Sequence, residues 1–128
     1  SETGQDIVEA KVDISAIMAL GDVASGEKIF KKCAACHSIN SGGANKIGPA
    51  LYNVVGRKVG GVNDYKYSKA LTTYGKEWTF EELNGFLKKP ASYIKGTKMS
   101  YAGLRKEKDR ASVIKYLNQN SDNPNPLP

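Results

Sequence analysis

Apolar residues recur at helical spacing in three stretches of the chain and nowhere alternate convincingly as a strand would. Gly26, Ile29, Phe30 and Cys33 share one face at i, i+3, i+4 and i+7, which predicts a helix from about Val23 to Lys32, capped by Asp22 or Ser25. Leu83, Phe86 and Leu87 repeat the pattern behind Thr79-Phe80-Glu81-Glu82, a capping box with threonine at N-cap and glutamate at N3. Pro90 ends that helix, because the residue before a proline is pushed out of helical geometry. Arg110, Val113, Ile114 and Leu117, with Tyr116 beside them, predict a last helix from Lys106 or Glu107 to about Asn118. Ser68 can open a short helix over Lys69 to Thr73.

The rest reads as loop. Ser, Asn and Gly cluster over residues 38–48, and residues 90–104 carry further loop signals around Gly96 and Gly103. Residues 1–20 scatter apolar positions without a clean face, so they are expected outside the core, as a tether or a segment wrapped along the body. Residues 119–128 hold three prolines and no core residue, and are expected to be a disordered tail. The organisation expected is an extension (1–20), one all-α domain (21–118) and the tail (119–128). Loops this long need something to order them.

Cys33-Ala34-Ala35-Cys36-His37 supplies a candidate. Two cysteines two residues apart, followed by histidine, are the attachment pattern of c-type haem. Each thiol adds to one porphyrin vinyl group, and the histidine arrives beneath the iron as an axial ligand. Structural zinc requires four ligands, and beyond these three soft ligands the chain has none. A thioredoxin-like pair needs a βαβ context that is missing. Hydrophobic content is 40%, slightly low for such a domain, and a buried haem supplies apolar volume. The carbonyl of Pro49 is placed to accept the Nδ1 proton of His37. Tyr65, Tyr67 and Trp78 combine an apolar body with a polar tip, suited to packing on haem and donating to its propionates.

With one histidine, a bis-histidine iron is excluded. Met99, in a loop beyond Pro90, is the favoured sixth ligand; Met18 and an open coordination site are the alternatives. Charge adds a further clue. Residues 1–27 hold six acids and one base, and the remainder carries 18 bases against seven acids, for a net charge of +6. A basic body suits acidic partners, and Lys31, Lys32, Lys46, Lys95 and Lys98 flank the two ligand segments. No groove-reading motif accompanies the charge, so nucleic acid is not expected. No apolar run is long enough to span a bilayer.

From Gly21 to about Asn118 the chain resembles the class I cytochromes c, of the mitochondrial and bacterial c2 type. The resemblance rests on Gly26 with Ile29-Phe30, the Cys33–His37 motif, Gly48-Pro49, Gly56-Arg57, Tyr65, Tyr67, Trp78, Gly96-Thr97-Lys98-Met99 and Tyr116. The 62-residue separation of His37 and Met99 also agrees with the family. Within it the chain looks most like the α-proteobacterial c552 kind, which implies that the acidic leader is a tether and allows a membrane anchor ahead of Ser1. The resemblance implies the all-α class I fold around one haem c, bound through Cys33 and Cys36 and ligated by His37 and Met99. It also implies that Pro49 holds His37, that Arg57, Tyr67 and Trp78 serve the propionates, and that Thr97 steadies the Met99 loop. Gly26 would let the first and last helices cross against Tyr116. Leu71 and Phe86 stand where mitochondrial members have polar residues, and Tyr101 replaces a phenylalanine at the haem edge.

The function expected is that of a monomeric one-electron carrier, not an enzyme. It would dock transiently on acidic sites of a quinol-oxidising bc1-type complex and of a terminal oxidase or reaction centre, in the periplasm or the mitochondrial intermembrane space. A haem domain of a larger oxidoreductase, or a peroxidase, is the alternative.

Overall fold

The computed structural model describes residues 13–128, which form six helices and, apart from one isolated Lys58–Glu77 bridge, no β-structure. In chain order they are α1 (Ile14–Ala19), α2 (Val23–Phe30), α3 (Lys69–Thr72), α4 (Phe80–Lys88), α5 (Pro90–Tyr93) and α6 (Glu107–Gln119).

Side-chain caps start four of them, because the first N–H groups of a helix lack internal partners. Asp13 accepts from the amide of Ala16 at 3.2 Å, Asp22 from Ser25 at 2.9 Å, Ser68 from Leu71 at 3.2 Å and Thr79 from Glu82 at 3.1 Å. Helix α2 ends at Phe30, slightly before the expected Lys32, and passes into tight turns.

The scaffold is the crossing of α2 over α6. Gly26 makes it possible: a Cβ there would lie 2.0 Å from the Ser112 carbonyl oxygen. Phe30 and Tyr116 fill the next turn, their rings 5.6 Å apart. Val113, Ile114 and Leu117 of α6 are buried, as the spacing predicts. Arg110 is buried as well, and joins three segments. Its Nε donates to Asn84 of α4 at 2.7 Å, and its Nη1 to the carbonyls of Leu104 and Arg105, each at 2.8 Å.

Three expectations are corrected. Residues 1–12 of the leader fall outside the described residues, but α1 is not outside the core: it packs on α6, with Met18 1% and Ile17 7% exposed. Burial of two large apolar side chains is ample reason for that docking, at about 1.5–3 kcal/mol each. The tail is also ordered in part. Asn125 and Asn118 exchange hydrogen bonds, and Asp122 binds Tyr52 and Asn53. The 90–104 loop opens with a short helix, since Pro90 can start a helix at N1 as well as stop the previous one.

Candidate functional site

The turns after α2 place the two cysteines and the histidine. The amides of Cys36 and His37 both donate to the Cys33 carbonyl, each at 3.0 Å, which closes the segment into a compact coil. Cys33, Cys36 and His37 then border one cavity of about 610 Å³. That volume falls within the range of about 300–1,000 Å³ usual for cofactor sites.

The His37 ring is held on two sides. Nδ1 lies 2.7 Å from the Pro49 carbonyl oxygen, as the sequence suggested. Gly48 presses on the ring: a Cβ there would sit 2.3 Å from Cε1. Burial holds the ring below the usual imidazole pKa, and the charges of Arg57 and Lys46 add to this, against the opposing pull of the Pro49 bond. The neutral form is thereby favoured, with Nδ1 donating to Pro49 and the Nε2 lone pair left for a metal. Burial also raises the Cys33 thiol, and Cys36 adds to the effect.

All ten residues proposed from sequence for the site line this one cavity: Cys33, Cys36, His37, Pro49, Arg57, Tyr65, Tyr67, Trp78, Thr97 and Met99. Met99 is half-buried, and its amide receives support from Thr97 Oγ1 at 3.2 Å. Met18 is packed in the core and is not among the lining residues. Trp78 is buried against Phe86, with ring centroids 5.0 Å apart. The Tyr67 hydroxyl accepts from the Val62 amide at 3.1 Å, and Tyr65 donates to the Ile47 carbonyl.

Arg57 carries the clearest sign of an anionic ligand. Its Nη1 donates to the carbonyls of Ala50 at 2.9 Å and Tyr52 at 3.2 Å, yet its Nε is buried with no protein partner. Leaving such a donor unpaired is costly, which points to a group that binds there. The donor set fits haem: two thiols and an imidazole on one segment, a thioether on another, apolar and aromatic walls, and a buried guanidinium for a carboxylate.

Two features were not assigned a role from the sequence. Gly48 is the residue that lets the chain lie flat on the imidazole; its place directly before Pro49, eleven residues after the histidine, is the available signal. Ile47 borders the cavity while 76% exposed, an apolar spot at the rim with only its length to mark it in sequence. Lys32 and Lys98 also border the cavity, and Lys46 donates to the Ala34 carbonyl at 3.0 Å.

Comparison with known proteins agrees with this geometry. The family described as cytochrome c matches residues 23–121. A cytochrome c homolog of Rickettsia typhi is 47% identical over 111 residues, covering 87% of this chain and 63% of the relative. A cytochrome c homolog of Bradyrhizobium diazoefficiens is 43% identical over 120 residues, covering 93% of this chain and 65% of the relative. The chain thus spans somewhat under two thirds of the length of these two relatives. Among solved structures, cytochrome cH from Methylobacterium extorquens is similar with a TM-score of 0.72 and 39% identity, over 77% of this chain and 99% of that one.

Proposed function

Because this chain belongs to the cytochrome c family, we propose that it is a one-electron carrier that moves electrons from a quinol-oxidising bc1-type complex to a terminal oxidase or reaction centre. The cofactor is haem c, joined through Cys33 and Cys36. When bound, it supplies an Fe(III)/Fe(II) couple. The observation that carries the reading is that His37 and Met99, 62 residues apart in sequence, border the same apolar cavity as both cysteines.

The chain's own residues have separable tasks. His37 stays neutral and oriented through Pro49, ready to bind iron in either oxidation state. Met99 provides the second ligand, and a thioether raises the potential relative to two nitrogen ligands. Thr97 steadies Met99 through its amide. Arg57, Tyr67 and Trp78, which line the same cavity, would receive the propionates. With His37 and Met99 both holding the iron, no position would remain on it for a substrate, which would separate a carrier from a peroxidase.

Lys32 and Lys98 border the cavity together with exposed Ile47, and Lys31, Lys46 and Lys95 are exposed on the segments beside them, so positive charge gathers on the two ligand arms. Such a patch steers a short-lived encounter with an acidic partner. The proposed setting is outside the cytoplasm, either free or tethered to the inner membrane. No helix among the described residues is long and apolar enough to cross a membrane.

The test mixes carbon monoxide with the reduced holoprotein. A carrier with Met99 on the iron should resist binding, whereas Met99→Ala should bind rapidly and lose the absorption due to sulfur on iron. Equal, rapid binding by both proteins would favour the enzyme reading.

A further inference from the structure

We propose that the segment Ser121–Asn125 is a latch that positions Arg57 at the haem cavity. The proposal deepens the carrier reading and rests on it for the part haem plays. The family match ends at residue 121, so the match leaves residues 122–125 without a role.

The latch grips one short loop. Asp122 accepts from the Tyr52 hydroxyl and from Asn53 Nδ2, each at 3.1 Å, while its own amide donates to Asn53 Oδ1 at 2.8 Å. Just ahead of it, the Asn120 carbonyl accepts from the Asn53 amide at 3.0 Å. Asn125 Nδ2 donates to the Val55 carbonyl at 3.0 Å. Asn125 is fixed in turn by Asn118 of α6, which accepts its amide at 3.0 Å and donates to its carbonyl at 2.9 Å. Asn118 is 5% exposed, so the latch is anchored in the core.

The loop under this grip closes two turns of its own, Val54 to Leu51 and Arg57 to Val54, each at 3.0 Å, and the tail adds bonds at Tyr52, Asn53 and Val55 between them. Asn53 has φ 66°, the left-handed region, which asparagine tolerates when its side chain is held by local hydrogen bonds, here those with Asp122. The same loop furnishes both carbonyls, of Ala50 and Tyr52, that hold Arg57 Nη1. Arg57 borders the haem cavity on one side and an open depression of about 390 Å³ on the other. Ser121, Asp122 and Asn125 line that depression too. The tail therefore braces the loop that aims the guanidinium and covers the outer depression that Arg57 also borders. Asp122 directs both carboxylate oxygens to Tyr52 and Asn53, so it acts on Arg57 by position and not as its ion-pair partner.

The test compares wild-type holoprotein with the double variant Asp122→Ala/Asn125→Ala. Two readouts are hydrogen exchange of the Arg57 Nε proton by NMR and the midpoint potential. We expect exchange at least about tenfold faster, since local opening sets protection. We also expect a lower potential, because a better-hydrated guanidinium screens its charge from the iron. In an Arg57→Lys background the tail substitutions should no longer move the potential. Unchanged Arg57 exchange overturns the proposal. So does an equal potential shift in the Arg57→Lys background, or a loss of unfolding stability with neither readout moved. Failure of the carrier reading would appear separately, as wild-type holoprotein that binds carbon monoxide freely, and would leave the exchange result standing.

Discussion

Two arms reach the cavity, and the protein holds them very differently. The histidine arm, residues 33–49, is stitched along its length. Cys36 and His37 bond back to Cys33, the Gly48 amide donates to Cys36 at 2.8 Å, the Leu51 amide to Ser38 at 2.9 Å, and Pro49 takes the ring proton. The methionine arm, residues 96–102, has fewer bonds. Thr97 donates its amide to Ile94 at 3.1 Å, the Met99 amide takes Thr97 Oγ1 at 3.2 Å, and Lys98 reaches the Lys66 carbonyl at 2.7 Å. The next backbone hydrogen bond along the chain is at Leu104, to Leu87. One arm is prebuilt by its own backbone. The other depends more on the group it grips, so local opening should begin there.

The strongest way to break this contrast is to damage the prebuilt arm. Gly48→Ala places a methyl group against the His37 ring, where the nearest atom would be 2.3 Å away. The ring must move or the Gly48–Cys36 bond must stretch. We predict a loss of about 3 kcal/mol, the upper end of the usual cost of overpacking, read from denaturant unfolding of the holoprotein. A variant as stable as the wild type would show that the histidine arm is softer than its bonds imply.

Met99→Ala attacks the other arm. The side chain is only half-buried, so we predict a loss of about 2 kcal/mol, at the low end for methionine truncation. Exchange of amides over residues 96–102 should rise, while that of residues 33–49 stays as in the wild type. Equal rises in both arms would erase the distinction between them.

The histidine arm was the more legible of the two in sequence, and for a physical reason. Covalent attachment fixes the spacing of Cys33, Cys36 and His37, and the Pro49 carbonyl follows once a ring proton needs an acceptor. The caps at Asp22, Ser68 and Thr79 were legible because capping is local. Interactions that depend on distant partners were not. Ile17 and Met18 give no clean helical face, yet α6 buries both. The asparagines and prolines of the tail look like unstructured polar chain, but Asn118 and Tyr52 supply partners that lie far away in sequence or on another element. In sequence Pro90 signals only a stop, whereas in the fold it also starts α5.

The finest probe of the contrast is Thr97→Val, which keeps the shape of the side chain and removes only the hydroxyl. The Met99 amide then loses its acceptor at 3.2 Å, while the half-buried residue keeps its volume. A single neutral hydrogen bond of this kind contributes about 1 kcal/mol. If the methionine arm opens as a separate unit, that loss should appear as roughly fivefold faster exchange of the Met99 amide, with global unfolding changed by less. If both arms open only together with the whole molecule, the protection of the Met99 amide and global stability should instead fall by the same free energy. Measuring the two quantities on one variant separates these cases. The first outcome makes the methionine arm a locally labile clasp, and the second makes the two arms one cooperative unit despite their unequal bonding.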